Sequence, residues 1–314
     1  MDSIIENIRR YAKNNGVYIA FSGGEDSVLT TILAIEALSK SQVHLVHVYF
    51  GPYTYSRTLE NVKAFASSMG LDLTVVNGRC EQEKVLRYGP ACNLCTKRVK
   101  LGLVKKVSKG LILTGANSYD SWGKMGIPYN DGVFSPLFYL NKDQIRALLT
   151  YLGVTVKRVG ESSYREGCKA KHLLKMLVNP EYHGEAVAAS NEILLATISC
   201  CDLHVKLANV KIIGPLSRNV ALVNVVPSLP NEAKEEVVER ISALHVVDEV
   251  RIVERPLKLK IMANPGLYND PESRKMVERC RLAREFAVPI HVQWIKSSNR
   301  KLRTFQVVEA HEIE

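Results

Sequence analysis

The stretch Val17-Tyr18-Ile19-Ala20-Phe21-Ser22-Gly23-Gly24-Glu25-Asp26-Ser27-Val28 decides the fold. An apolar run, 17–21, leads into a glycine turn, and an apolar helical pattern continues from 28 to 38. A strand, a glycine turn and a helix N-terminus in that order make an anion site. The glycines let the backbone approach a phosphate closely. Unpaired N–H groups and the helix dipole favour negative charge there. Ser22 and Ser27 add hydroxyl donors, and Asp26 is placed to orient Mg²⁺ on phosphate oxygens.

The run is not a Walker loop, which needs G-x-x-x-x-G-K-[ST]. It resembles the SGG-x-DS pyrophosphate loop of the ATP pyrophosphatase (PP-loop) superfamily, with Glu25 in the variable slot. That resemblance implies ATP and Mg²⁺ as cofactors. It implies cleavage between the α and β phosphates, with AMP left on a substrate oxygen. It assigns ATP contacts to Ser22, Gly23, Gly24, Glu25, Asp26 and Ser27, and further along the chain to Val48, Gly115 and Asp120.

Outward from the loop, residues 1–160 alternate strand and helix. Strands are predicted at 17–21, 43–50, 73–76 and 110–114, and helices at 28–39, 56–69, 93–107 and 141–152. Such βα units imply an α/β fold, a parallel sheet covered by helices on both faces. Ligands of such sheets gather at the carboxyl ends of the strands, where the Ser22 loop, Phe50-Gly51 and Gly115-Ala116-Asn117 all fall. Residues 161–210 read mainly as helices. The last hundred residues follow a β-α-β-β-α-β order, the pattern of a ferredoxin-like α+β sandwich. The expected division is a 1–213 nucleotide domain with a helical cysteine-bearing extension, then a 214–314 ferredoxin-like domain.

The 314 residues carry a net charge of +10 and are 46% hydrophobic and 24% charged, which suits a globular chain. No apolar run approaches a membrane span. The polar, helical N-terminus lacks a signal-peptide core, so a cytoplasmic protein without membrane partners is expected. From Lys84 to Tyr119 there are eight basic residues and no acidic one, which points to a polyanion partner. Lys97, Arg98, Lys100, Lys105 and Lys106 are its candidate RNA contacts.

Cys92-Asn93-Leu94-Cys95 is a CxxC at a predicted helix start. Alone it fits a redox pair, half a zinc site or part of an iron–sulfur site. Its setting adds Thr96-Lys97-Arg98-Val99-Lys100, then 113–120, then a third cysteine, Cys168. The whole resembles the tRNA thiolation enzymes that make 2-thiocytidine or 2-thiouridine. In that family three cysteines hold a 4Fe–4S cluster whose open iron can carry sulfide. The resemblance covers roughly residues 15–195 and implies tRNA and a sulfur donor or carrier protein as partners. There are departures: Tyr119 stands before Asp120 in place of a paired acid, and Lys169 follows Cys168 in place of proline.

Zn²⁺ on Cys92, Cys95, Cys168 and His172 is the alternative metal. Cys200 and Cys201 read as buried core, Cys80 as a spare thiol and Cys280 as structural. The loop aromatics Tyr53, Tyr55, Trp122 and Tyr129 suit either a base or the core. The expected enzyme is therefore an ATP-dependent sulfur transferase. A small-molecule sulfur transferase and a non-catalytic RNA-binding protein are the alternatives. The C-terminal region is expected to bind RNA, form a homodimer or dock a sulfur carrier.

Overall fold

The alternation expected of the N-terminal half appears in the computed structural model, which describes residues 1–13, 15–118, 128–156 and 168–313. The chain forms two units, one of Met1–Gly51, Ser56–Gly78 and Thr96–Val159, the other of Pro52–Tyr55, Arg79–Cys95 and Gly160–Glu314.

The first unit opens with α1 (Asp2–Ala12), β1 (Val17–Ala20), α2 (Glu25–Ala37), β2 (Val43–Tyr49), α3 (Ser56–Met69) and β3 (Asp72–Asn77). The chain then passes into the second unit through α4 (Arg79–Leu86) and α5 (Cys92–Leu94). It returns along a π-helical segment, Cys95–Leu101, into α6 (Gly102–Val107). The unit closes with β4 (Leu111–Leu113), β5 (Tyr129–Asn130), β6 (Val133–Phe134) and α7 (Lys142–Tyr151).

Its six strands form one sheet in the order β3-β2-β1-β4-β6-β5. Every pairing is parallel except the β5–β6 hairpin, and Val17 registers with both Val43 and Leu111. The chain builds outward from β1 through β2 to β3, then comes back to β1's other side with β4. β1 and β4 therefore flank the switch point of the sheet, the crevice where open α/β sheets bind ligands. Helices α1, α2 and α7 pack together through Ile8, Leu29, Leu33, Ile145 and Leu149, all buried. Each such side chain is worth about 1.5–3 kcal/mol of burial. This packing fixes the N-terminus of α2 beside β1.

The second unit adds α8 (Glu185–Cys200), β7 (Leu207–Ile213), β8 (Val220–Val226), α9 (Asn231–Ser242), β9 (Glu249–Ile252) and β10 (Leu257–Ala263). It continues with α10 (Pro265–Asn269), α11 (Pro271–Val277), β11 (Ile290–Lys296) and β12 (Phe305–Glu312). The strand and helix order of the tail follows expectation, but its sheet does not. The strands divide into two three-stranded sheets, β7-β8-β9 and β11-β10-β12, instead of one ferredoxin-like sheet. β7 supplies the reason. It lies in the stretch read as helical, and all seven of its residues are buried, so it shows no alternation that would reveal a strand. It pairs antiparallel with β8 across a turn at Gly214, whose φ of 107° suits glycine. β8 and β9 then pair parallel, leaving β10 to nucleate the second sheet with β11 and β12. Leu222, Leu259, Ile261, Leu282 and Val307 share one core drawn from both sheets.

Cys200 and Cys201 are corrected from core to surface: α8 ends at Cys200 and both thiols are exposed, as is Cys280. Tyr53 and Tyr55 are fully buried, whereas Tyr129 is exposed and stacks on Tyr11. Trp122 lies outside the described residues. Among the described residues no helix is long and apolar enough to cross a membrane.

Candidate functional site

In the first unit, the turn after β1 delivers the chain to α2 through Gly23 and Gly24. Gly23 has φ of 81°, and a Cβ on it would sit 3.0 Å from the Val62 side chain. Gly24 caps α2 without any side-chain hydrogen bond to the helix, which leaves the first-turn N–H groups directed at the site. The serines brace the turn: the Ser27 hydroxyl donates to the Gly24 carbonyl (3.0 Å) and lies 3.2 Å from the Ser22 hydroxyl. The Gly24 N–H donates to Ser22 Oγ at 3.4 Å. Thr30 and Thr31 tie their hydroxyls to the Asp26 and Ser27 carbonyls, both at 2.8 Å.

Asp26 is the focus. Lys142 Nζ meets both its oxygens, at 2.7 and 2.5 Å, and Asn117 Nδ2 donates to Oδ2 at 3.2 Å. Gly115, just beyond β4, lies against the same turn: a Cβ there would stand 2.7 Å from Asp26 Cβ and 3.1 Å from the Ser27 nitrogen. The two strands flanking the switch point thus close on one carboxylate. Glu25 pairs with Arg146 at 3.3 Å, and Val48 is buried along β2. His44 bonds Thr74, and buried His47 bonds the Phe21 carbonyl, so both act as packed strand residues. Burial holds the His47 imidazole below its ordinary pKa. Asp120 lies outside the described residues.

Lys142 is a functional candidate that motif reading missed. It is the first residue of α7, whose start is marked by a capping box between Asn141 and Gln144. A cation there opposes the helix dipole. An N-terminal lysine directly after a capping asparagine is therefore the available clue, because it needs an anion close by.

In the second unit the three sulfurs come from two segments, 92–95 and 168, and meet donors from two others. Gln82, buried on α4, points Nε2 at Cys168 Sγ (3.4 Å) and Cys95 Sγ (3.8 Å). Arg281 Nη1 donates to Cys92 Sγ at 3.0 Å, and its Nη2 donates to the Lys171 carbonyl. Burial works against the Arg281 charge, and the neighbouring Cys92 and Glu285 outweigh it, so the guanidinium stays firmly protonated. Cys95 begins one π-helical segment and Arg281 sits in another, Glu278–Leu282. Such segments recur at functional sites, where they re-aim side chains.

Beneath lies a buried ionic cluster. Lys211, on β7, donates to Glu285 (2.5 Å) and to His172 Nδ1 (2.8 Å). Burial lowers the Lys211 pKa to about 8 against the pull of Glu285. His172 therefore faces Lys211 and Glu285, and the Cys₃His zinc set is not assembled. Among the described residues no group of three or more His, Cys, Asp or Glu side chains is placed to hold a metal ion, the three cysteines included.

Of the candidate RNA contacts, Lys97, Arg98, Lys100 and Lys106 are exposed. Lys105 is engaged by Asp131 at 2.5 Å, and Lys100 lies 5.8 Å from the Phe50 ring centre.

No known protein-family profile matches the chain. It is 35% identical over 79 residues to an NH₃-dependent NAD⁺ synthetase of Pyrococcus horikoshii, covering 24% of this chain and 30% of that one. It is 32% identical over 117 residues to an uncharacterized protein of Methanocaldococcus jannaschii, covering 34% of this chain and 24% of that one. The matches thus span under a third of each relative's length. The synthetase similarity and the parallel sheet fit the PP-loop superfamily and ATP pyrophosphatase-type chemistry.

Proposed function

We propose that this chain is an ATP-dependent sulfur transferase that adenylates a carbonyl oxygen of a tRNA base and replaces that oxygen with sulfur. The observation that carries the proposal is that Gln82 reaches both Cys95 and Cys168 while Arg281 donates to Cys92, so each of the three sulfurs has a polar donor. The loop and the synthetase similarity support the ATP half of the reaction. The sulfur half rests on the cysteines.

The β and γ phosphates fit the Ser22–Ser27 turn, where helix N–H groups and two hydroxyls converge. Asp26 would hold Mg²⁺ on the leaving phosphates. Once Asp26 is so engaged, the Lys142 ammonium is released to a phosphate oxygen, keeping positive charge where negative charge grows. The substrate oxygen attacks the α phosphorus, the bond to the bridging oxygen breaks, and pyrophosphate departs. Oxide, a poor leaving group, has become AMP. A sulfur nucleophile supplied at the cysteines attacks the carbon, and the C–O bond breaks with AMP taking the oxygen. A 4Fe–4S cluster on Cys92, Cys95 and Cys168 would supply an open iron for sulfide. Gln82 and Arg281 orient those sulfurs and balance their charge. Lys97, Arg98, Lys100 and Lys106 hold RNA phosphates, which gives affinity and not sequence choice.

Nucleoside mass spectrometry of tRNA from cells lacking the protein tests the recipient: loss of one thiolated nucleoside is expected, and an unchanged profile would sink the assignment. Iron and acid-labile sulfide analysis after anaerobic purification tests the cluster. One zinc and no iron would rule it out.

A further inference from the structure

The C-terminal half carries a second acid-free stretch. Between 286 and 308 there is no Asp or Glu, and there are four basic residues, Lys296, Arg300, Lys301 and Arg303. In the second unit this stretch lies against the beginning of the first acid-free stretch. The Arg303 N–H donates to the Tyr88 carbonyl at 2.9 Å, and its guanidinium lies 4.8 Å from the Tyr88 ring centre. Gly89 seats the loop: its φ is 118°, and a Cβ on it would overlap Thr304 Oγ1 and approach Leu302.

The loop between β11 and β12 is folded, not slack. Leu302 is buried, Asn299 accepts from the Lys301 N–H at 3.0 Å, and Asn264 donates its backbone N–H to the Thr304 carbonyl at 2.9 Å and its side-chain amide to the Arg303 carbonyl. Lys296, Arg300, Lys301 and Arg303 are exposed, and the segment that this loop contacts through Tyr88 and Gly89 carries exposed Lys84 and Arg87 just before them. None of these six has a carboxylate partner among the described residues. Glu83, the nearest acid in sequence, is taken by Arg79 and Tyr53. Unneutralised cations held on a rigid turn lose little entropy when they meet a row of phosphates.

We infer that the end of α4 with the turn after it (84–89) and the β11–β12 loop together form a phosphate-binding surface for RNA. The inference rests on the RNA recipient of the proposed reaction but not on sulfur transfer. It assigns the C-terminal half a part in holding the substrate.

The test is fluorescence anisotropy of a labelled tRNA pool against the full-length protein, without ATP or sulfide, over a range of salt concentrations. The triple variant Lys296→Ser, Arg300→Ser, Lys301→Ser changes exposed positions and should leave the melting temperature unchanged. It should bind at least about tenfold more weakly near 0.1 M salt, with a log–log salt slope smaller by about 2–3. Gly89→Val should displace the same loop and reproduce the loss. Affinity and slope within twofold of the parent would overturn the surface. So would tighter base-dependent binding to phosphatidylglycerol vesicles than to tRNA. Patch-dependent binding of tRNA that is never thiolated would leave this surface standing and remove the proposed chemistry. Loss confined to a Lys97, Arg98, Lys100 variant would remove the surface alone.

Discussion

The proposed phosphate turn and the proposed cysteine centre are built in opposite ways. The turn uses six consecutive residues, and its donors are mostly backbone, so glycine placement and a helix start suffice to make it. The centre draws on Gln82, Cys92, Cys95, Cys168 and Arg281, and its chemistry lies wholly in side chains. A contiguous backbone site tolerates change outside its few residues. A site assembled from distant segments depends on the core that brings them together.

The largest effect that would break this contrast is at Asp26. Asp26→Ala should reduce pyrophosphate release by about 10³-fold, of the order of 4 kcal/mol, while iron content and tRNA affinity stay near the parent. Iron lost along with turnover would show that the two centres are not separable. Conversely, Cys92→Ala, Cys95→Ala and Cys168→Ala should each end thiolation and spare ATP binding, as judged by nucleoside analysis beside nucleotide titration.

Next comes the support beneath the cysteines. Lys211→Met leaves Glu285 without its closest cation, and removing one partner of a buried pair costs about 3–5 kcal/mol. Urea titration should show a lower midpoint with an unchanged slope. A midpoint equal to the parent's would mean that the ionic cluster does not hold the centre together.

His183 gives a pH-dependent effect of up to about 3 kcal/mol. Burial, with a smaller push from Lys175, lowers its pKa from 6.5 to about 4 against the Asn219 hydrogen bond. Between those values the unfolded chain binds a proton that the folded chain refuses. Stability should therefore fall as pH drops from about 6.5 to about 4. His183→Gln should flatten that part of the profile in urea titrations, and an unaltered slope would assign the loss elsewhere.

The smallest expected change is at Gly115→Ala. A methyl group there presses on Asp26 and the Ser27 nitrogen, so ATP affinity should fall about tenfold, or about 1.4 kcal/mol. Calorimetric titration with ATP measures it, and unchanged affinity would mean the turn yields at no cost.

Legibility follows the same division. β1, α2 and the turn between them are readable because an apolar run, two glycines and a helical apolar pattern follow one another at local spacing. The CxxC and the later cysteine were visible as residue types, but their donors were not. Arg281 lies 189 residues from Cys92, and Lys142 lies 116 from Asp26. Nothing local ties such pairs together. β7 was hidden for another reason: a strand buried on both faces has no alternation to read, and missing it misplaced the tail's sheet. The exposure of Cys200 and Cys201 depended on where α8 ended.

By itself the sequence determined the glycine turn, the parallel βα half around it and the presence of three candidate sulfurs, because these depend on backbone freedom and on periods of a few residues. Only the tertiary structure decided what surrounds them: Lys142 on Asp26, Gln82 and Arg281 on the cysteines, and two basic stretches docked through Gly89. Those meetings are set by sheet order and core packing, which no local pattern encodes.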